Sequence, residues 1–171
     1  MPGEFELIRR YFTPAPASLP AHVVVGVGDD CAVLRLPPGS DMAISVDTQV
    51  CGVHFHHDAE PAHIASRALR CAASDLAAMG AEPLGFTLAL TLPVAEEGWL
   101  QAFAAGLQQA AGQLQCPLIG GDTTKGPLTV SVQVHGSIPR GKALMRSGAR
   151  AGDDVWVSGT LGDGAAALAM L

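Results

Sequence analysis

The chain's chemistry is narrowed first by what is missing from it. Its four cysteines, Cys31, Cys51, Cys71 and Cys116, lie far apart with no C-x-x-C pair, so neither a zinc site nor a dithiol redox motif is indicated. They read as reduced, half-buried thiols. Basic charge is scarce: Lys+Arg number 10 against 16 Asp+Glu, a net charge of −6. A phosphate backbone demands a basic surface, so a general nucleic-acid binder is excluded. No apolar run approaches the roughly 18 residues of a membrane span, and Met1-Pro-Gly-Glu-Phe-Glu carries acids where a signal peptide would carry bases. A cytoplasmic protein with neither membrane nor nucleic acid as partner is expected. The G-x-x-x-x-G-K-[ST] phosphate loop is also absent.

Apolar residues, by contrast, are plentiful. With 171 residues, 49% hydrophobic and 15% charged, the chain can bury a core and make one domain or slightly more. Phe5, Ile8 and Phe12 are spaced for a short amphipathic helix, and Pro14, Pro16 and Pro20 then forbid regular structure. Val23 to Val27 reads as a strand that empties into Gly28-Asp29-Asp30, with a second strand from Cys31 to Leu36. Met42 to Val50 alternates, placing Ser45 and Asp47 on one face and Val46 and Thr48 on the other. Pro61 opens a helix that Gly80 ends. Its apolar stripe runs Ile64, Ala68, Ala72, position 75 and Met79, which puts Asp75 among inward residues. A buried carboxylate requires a cation or several donors. Two other placements would satisfy it: solvation at the stripe's edge, or pairing with Arg67 or Arg70.

Leu84 to Leu92 reads as a buried strand, Trp99 to Leu114 as a second helix, and Leu128 to Val134 as an alternating strand. Between the last two lies Leu118-Ile-Gly-Gly-Asp-Thr-Thr-Lys-Gly126, where a strand runs into a glycine pair, a carboxylate and two hydroxyls. Such a turn suits a phosphate with its metal, although a plain surface turn has the same composition. The 139–152 segment collects Arg140, Lys142, Arg146 and Arg150, a basic loop in an acidic chain. Asp154 to Val157 reads as a further strand. An apolar helix start at 165–171 suggests that 1–150 form one domain and 151–171 the opening of another.

Asp29, Asp30, Asp47, Asp75 and Asp122 fall at turns, strand ends or the helix stripe. If several converge, their repulsion calls for divalent cations, and oxygen donors select hard ones, Mg²⁺ ahead of Ca²⁺. The residues alone therefore point to a Mg²⁺-dependent nucleotide enzyme in which metals and an arginine neutralise charge. No general base stands out. His54, His56 and His57 lack a partner carboxylate motif, and an exposed or substrate-facing loop is the expectation.

Gly26-Val-Gly-Asp-Asp-Cys-Ala, Ser45-Val-Asp-Thr, Gly52-Val-His-Phe, Ser74-Asp-Leu-Ala-Ala-Met-Gly-Ala, Leu118-Ile-Gly-Gly-Asp-Thr-Thr and Leu144-Met-Arg-Ser-Gly-Ala together resemble the thiamine-monophosphate kinase family. Some of these motifs also echo the wider AIR synthetase-like superfamily. The resemblance implies phosphorylation of thiamine monophosphate by ATP, giving thiamine diphosphate, by direct transfer with several Mg²⁺ ions. It implies an α+β fold, a mixed or antiparallel sheet with helices on one face, and a homodimer in which two sheets close into a barrel. Matched by motif, Asp30, Ser45, Asp47, Asp75, Asp122 and the Val46 carbonyl would hold metal, with Asp29 and Thr48 in support. Gly121, Asp122 and Arg146 would meet ATP, and His54 the thiamine phosphate. Family members carry a second domain, so these residues alone are expected to have little activity. The rival readings are another ATP-using enzyme of the superfamily, or a non-catalytic metal-binding dimerisation module.

Overall fold

The computed structural model describes residues 4–13 and 19–170. Pro14, Pro16 and the side chain of Phe5 lie outside what is described. Helix α1, Glu4–Leu7, runs on into a π-helical turn, Ile8–Phe12, and it is Leu7 and Phe12 that are buried. Strands β1, Val23–Val25, and β2, Val33–Leu34, form a small antiparallel ribbon, shorter than the sequence suggests, with Gly28-Asp29-Asp30 at its turn as expected.

The main sheet holds β3 (Ser40–Val50), β4 (Glu82–Leu92), β5 (Leu118–Lys125) and β6 (Thr129–Pro139) in the order β3-β6-β4-β5. The β3–β6 and β4–β6 pairs are antiparallel and β4–β5 is parallel, so the sheet is mixed. Helix α2, Pro61–Met79, lies against β3 and β6, and α3, Glu97–Leu114, packs along α2. This is the α+β arrangement that the resemblance implies.

Period-two patterning decides which face is covered. Val130, Val132 and Val134 of β6 and Phe86, Leu88 and Leu90 of β4 are buried in one core with both helices. At Gly106 the helices come so close that an added Cβ would stand 2.4 Å from the Ala62 carbonyl oxygen. The Glu96 side chain caps α3, accepting from the N–H groups of Gly98 and Trp99 at 3.0 and 2.9 Å.

Strand β3 inverts the usual rule. Register pairs Ser45 with Val134 and Asp47 with Val132, so its polar residues face the helices. Its apolar residues face outward: Ile44 is 57% and Val46 60% exposed. A strand so patterned leaves an apolar strip on the uncovered face of the sheet.

Asp154 to Val157 forms no strand: among the described residues it pairs with nothing, and Val155 and Trp156 are 93% and 88% exposed. Alternation makes a strand only where a neighbour takes up the backbone hydrogen bonds. Asp75 is not inward. The buried stripe of α2 is Ile64, Ala65, Ala68, Leu69, Ala72, Ala73 and Leu76, and Asp75 stands exposed beside it. Among the described residues no helix is long and apolar enough to cross a membrane.

Candidate active site

The polar residues singled out above gather in two places, at opposite edges of the sheet. At the β3 edge, the Ser45 hydroxyl donates to Asp75 Oδ2 at 2.5 Å. The strand presents Ser45 toward α2, and a position flanking the buried stripe brings Asp75 to meet it. The basic segment after β6 closes over this pair. Leu144 N–H donates to the Met79 carbonyl at 3.0 Å, and a 3₁₀ turn, Arg146–Gly148, follows. Ser45, Asp75 and Arg146 thereby line one cavity of about 460 Å³. Hydroxyl and carboxylate oxygens lining one cavity with a guanidinium are groups that could hold a phosphate and its cation.

At the other edge, Asp29, Asp30, Gly121, Asp122 and Thr123 line a cavity of about 560 Å³. Asp30 N–H donates to Asp29 Oδ1 at 2.8 Å, which turns Asp29 back on its own loop. The Gly120-Gly121-Asp122 stretch is not the turn that its composition suggests, since β5 continues through it to Lys125. Gly121 makes this passage possible. Its φ is +152°, and a Cβ there would sit 1.9 Å from the Leu88 carbonyl oxygen, so only glycine lets the strand lie so close to β4. An exposed edge strand still offers free backbone groups beside Asp122.

The remaining predicted residues lie between or apart. Asp47 is half-buried on β3, on the same face as Ser45. Thr48 and Val46 point to the uncovered face, where the Thr48 and Ser131 hydroxyls are 2.8 Å apart across the strands. Gln49 is 4% exposed and its Oε1 lacks a partner among the described residues. His54 stands on the Gly52–Asp58 loop, where the Arg67 guanidinium donates to its carbonyl. Neither Arg67 nor the Cys51–His57 contact at 3.2 Å carries a sequence signal, because both depend on how the loop folds back.

One copy of the chain does not gather these carboxylates. Among the described residues no three His, Cys, Asp or Glu side chains are grouped to hold one ion. Edge strands β3 and β5 are separated by β6 and β4, so Asp47 and Asp122 lie three inter-strand spacings apart, roughly 14 Å. The donors themselves fit magnesium: carboxylate and hydroxyl oxygens, exposed enough to leave room for water and phosphate ligands.

A family model described as AIR synthase related protein, N-terminal domain, matches residues 28–138. Over 169 residues the chain is 52% identical to the thiamine-monophosphate kinase of Salmonella typhimurium, covering 99% of this chain and 52% of that one. The crystal structure of thiamine-monophosphate kinase from Stenotrophomonas maltophilia K279a aligns with a TM-score of 0.82 and 47% identity, covering 88% of this chain and 48% of the other. A ThiL structure complexed with AMPPCP and TMP aligns with a TM-score of 0.71 and 32% identity, over 83% of this chain and 47% of that one. The chain thus spans about half the length of the curated relatives it matches.

Proposed function

The chain belongs to the AIR synthase-related family, and from its likeness to thiamine-monophosphate kinases we propose that the whole protein is one of them. It transfers the terminal phosphoryl group of ATP to thiamine monophosphate, giving thiamine diphosphate and ADP in the cytoplasm. The observation that carries the reading is the Ser45–Asp75 hydrogen bond in a cavity shared with Arg146, because it joins metal-type oxygens and a phosphate-type cation within one cavity.

In this reading Asp30, Ser45, Asp47, Asp75, Asp122 and the Val46 carbonyl hold Mg²⁺, with Asp29 and Thr48 supporting them. Bound magnesium offsets the charge of the triphosphate and of the developing transition state. The chain's own residues bind and align. Gly121 allows backbone approach, Asp122 and Arg146 meet ATP, and His54 faces the thiamine phosphate. Direct transfer needs two substrates held in line rather than a covalent intermediate.

A homodimer accounts for two features of the single copy. Its open sheet face carries Met42, Ile44 and Val46, and its carboxylates sit on opposite edges. Closing two such sheets into a barrel covers the apolar strip and brings the edges of one copy against those of the other. Donors that do not touch one another within one copy would then hold the triphosphate and its ions. Residues 1–150 supply this half of the site, and 151–171 lead into a second domain that completes it.

The test is a thiamine diphosphate assay on the full-length protein with ATP, with and without excess chelator. Magnesium-dependent product formation is expected, together with little turnover by residues 1–171 alone. Full-rate turnover by that chain would overturn the division of labour, and none by the full-length protein would overturn the kinase reading. Turnover of a different acceptor would favour another enzyme of the superfamily. No metal-dependent nucleotide binding at all would leave a dimerisation module.

A further inference from the structure

The Gly52–Asp58 loop is more tightly built than its exposure requires. Gly52 N–H donates to the Phe55 carbonyl at 2.8 Å, His54 N–H to the Val50 carbonyl at 2.9 Å, and Phe55 is buried as the loop's anchor. Two further contacts act on His54 itself. The Val50 N–H donates to its Nδ1 at 3.1 Å, and Arg67 of α2 donates from Nη1 to its carbonyl.

The first contact determines where the ring's proton lies. A backbone N–H can only donate, so Nδ1 must keep its lone pair, and the proton of the neutral ring sits on Nε2. His57 is turned elsewhere, with Nδ1 3.2 Å from Cys51 Sγ and its ring over Gly52. On this loop it is His54 whose tautomer a backbone contact sets, and among the described residues its Nε2–H has no partner.

We infer that Arg67 is a positioning residue. It clamps the loop so that His54 is presented as a fixed Nε2–H donor to an acceptor oxygen of the phosphate-bearing substrate. The identity of that substrate rests on the thiamine monophosphate reading; the clamp rests on the loop's own geometry. An unclamped histidine divides its proton between two nitrogens and its ring among rotamers. Fixing both before binding removes an ordering cost from the encounter. Arg67 is exposed and outside the core, so its loss frees the loop without unfolding the domain.

The experiment uses the full-length protein, as wild type, Arg67→Met and Arg67→Lys, with nitrogen-15 histidine spectroscopy beside steady-state kinetics. Wild type is expected to show His54 with Nε2 protonated and Nδ1 bare. In Arg67→Met that signal should shift toward a mixture of tautomers. The KM for thiamine monophosphate should rise about tenfold while kcat and the KM for ATP stay near wild type, with partial recovery in Arg67→Lys. A wild-type His54 protonated on Nδ1, or a KM unchanged in Arg67→Met, overturns the inference. A general loss of melting temperature with both KM values raised also overturns it, since that marks a structural role. If wild type turns over no thiamine monophosphate, the kinase reading fails separately. The clamp is then upheld by a fixed tautomer lost in Arg67→Met and overturned by one that stays.

Discussion

The two edges of the main sheet solve one electrostatic problem in different ways. At β3 the carboxylate of Asp75 comes from a helix, already holds a hydroxyl donor, and has a guanidinium in its cavity. At β5 the carboxylates of Asp29, Asp30 and Asp122 share a cavity with backbone and apolar atoms, and among the described residues no side-chain cation pairs with them. One edge is preorganised before any ligand arrives. The other leaves its carboxylates open to water, with no side-chain cation among the described residues to hold them.

The largest expected effect comes from breaking the backbone that sets the β5 edge. Gly121→Ala places a Cβ 1.9 Å from the Leu88 carbonyl oxygen at a φ of +152°. The strand must pull away from β4, costing about 3 kcal/mol, and Asp122 moves with it. Differential scanning calorimetry should show a clear fall in melting temperature. An unchanged value would mean that the close β4–β5 approach is not needed for folding.

Next come the carboxylates, where the two edges can be set directly against each other. Asp75→Asn and Asp122→Asn in the full-length protein should each lower kcat/KM for ATP by about 10² to 10³, with little change in melting temperature because both residues are exposed. Ser45→Ala, which removes a donor to Asp75 and leaves the carboxylate, should cost about tenfold. The double variant decides how the edges relate. Losses that fail to add place Asp75 and Asp122 in one ion cluster, whereas additive losses make the edges independent sites.

Much of this was legible in the sequence because the relevant signals are local. The Pro61–Gly80 helix, the alternation of β3 and the turn at Gly28-Asp29-Asp30 follow from periodicity and breaker residues, and the structure has them. The failures are long-range. Helical spacing with Ile64, Ala68 and Ala72 points Asp75 inward, yet the stripe continues to Leu76 and leaves Asp75 at its flank, the edge placement that spacing leaves open. Val155 and Trp156 have strand character without a partner strand, and pairing cannot be read from one segment. The inverted faces of β3 were hidden for the same reason: alternation gives two faces, and only the position of α2 says which is covered. The separation of Ser45 and Asp47 from Asp122 follows from strand order, which no spacing along the chain encodes.

The smallest expected effect lies between the edges, at His135 on the uncovered face, opposite Ile44 of β3 and Gly85 of β4. Its Nε2 is buried and has no partner among the described residues, and desolvation holds its pKa below the ordinary 6.5. The sign follows from proton counts. In the window just below that value the unfolded chain binds a proton that the folded one refuses, so this contribution is full above it and declines as pH falls. Urea unfolding at pH values from about 7 down to about 5.5 should show wild type losing more stability than His135→Gln. Equal slopes would mean that the ring is solvated in solution. The same measurement bears on the proposed barrel, because a second copy laid over this face buries His135 further. The pH slope should then steepen with protein concentration in wild type, and a slope independent of concentration would leave the open face uncovered and the two edges of each sheet unjoined.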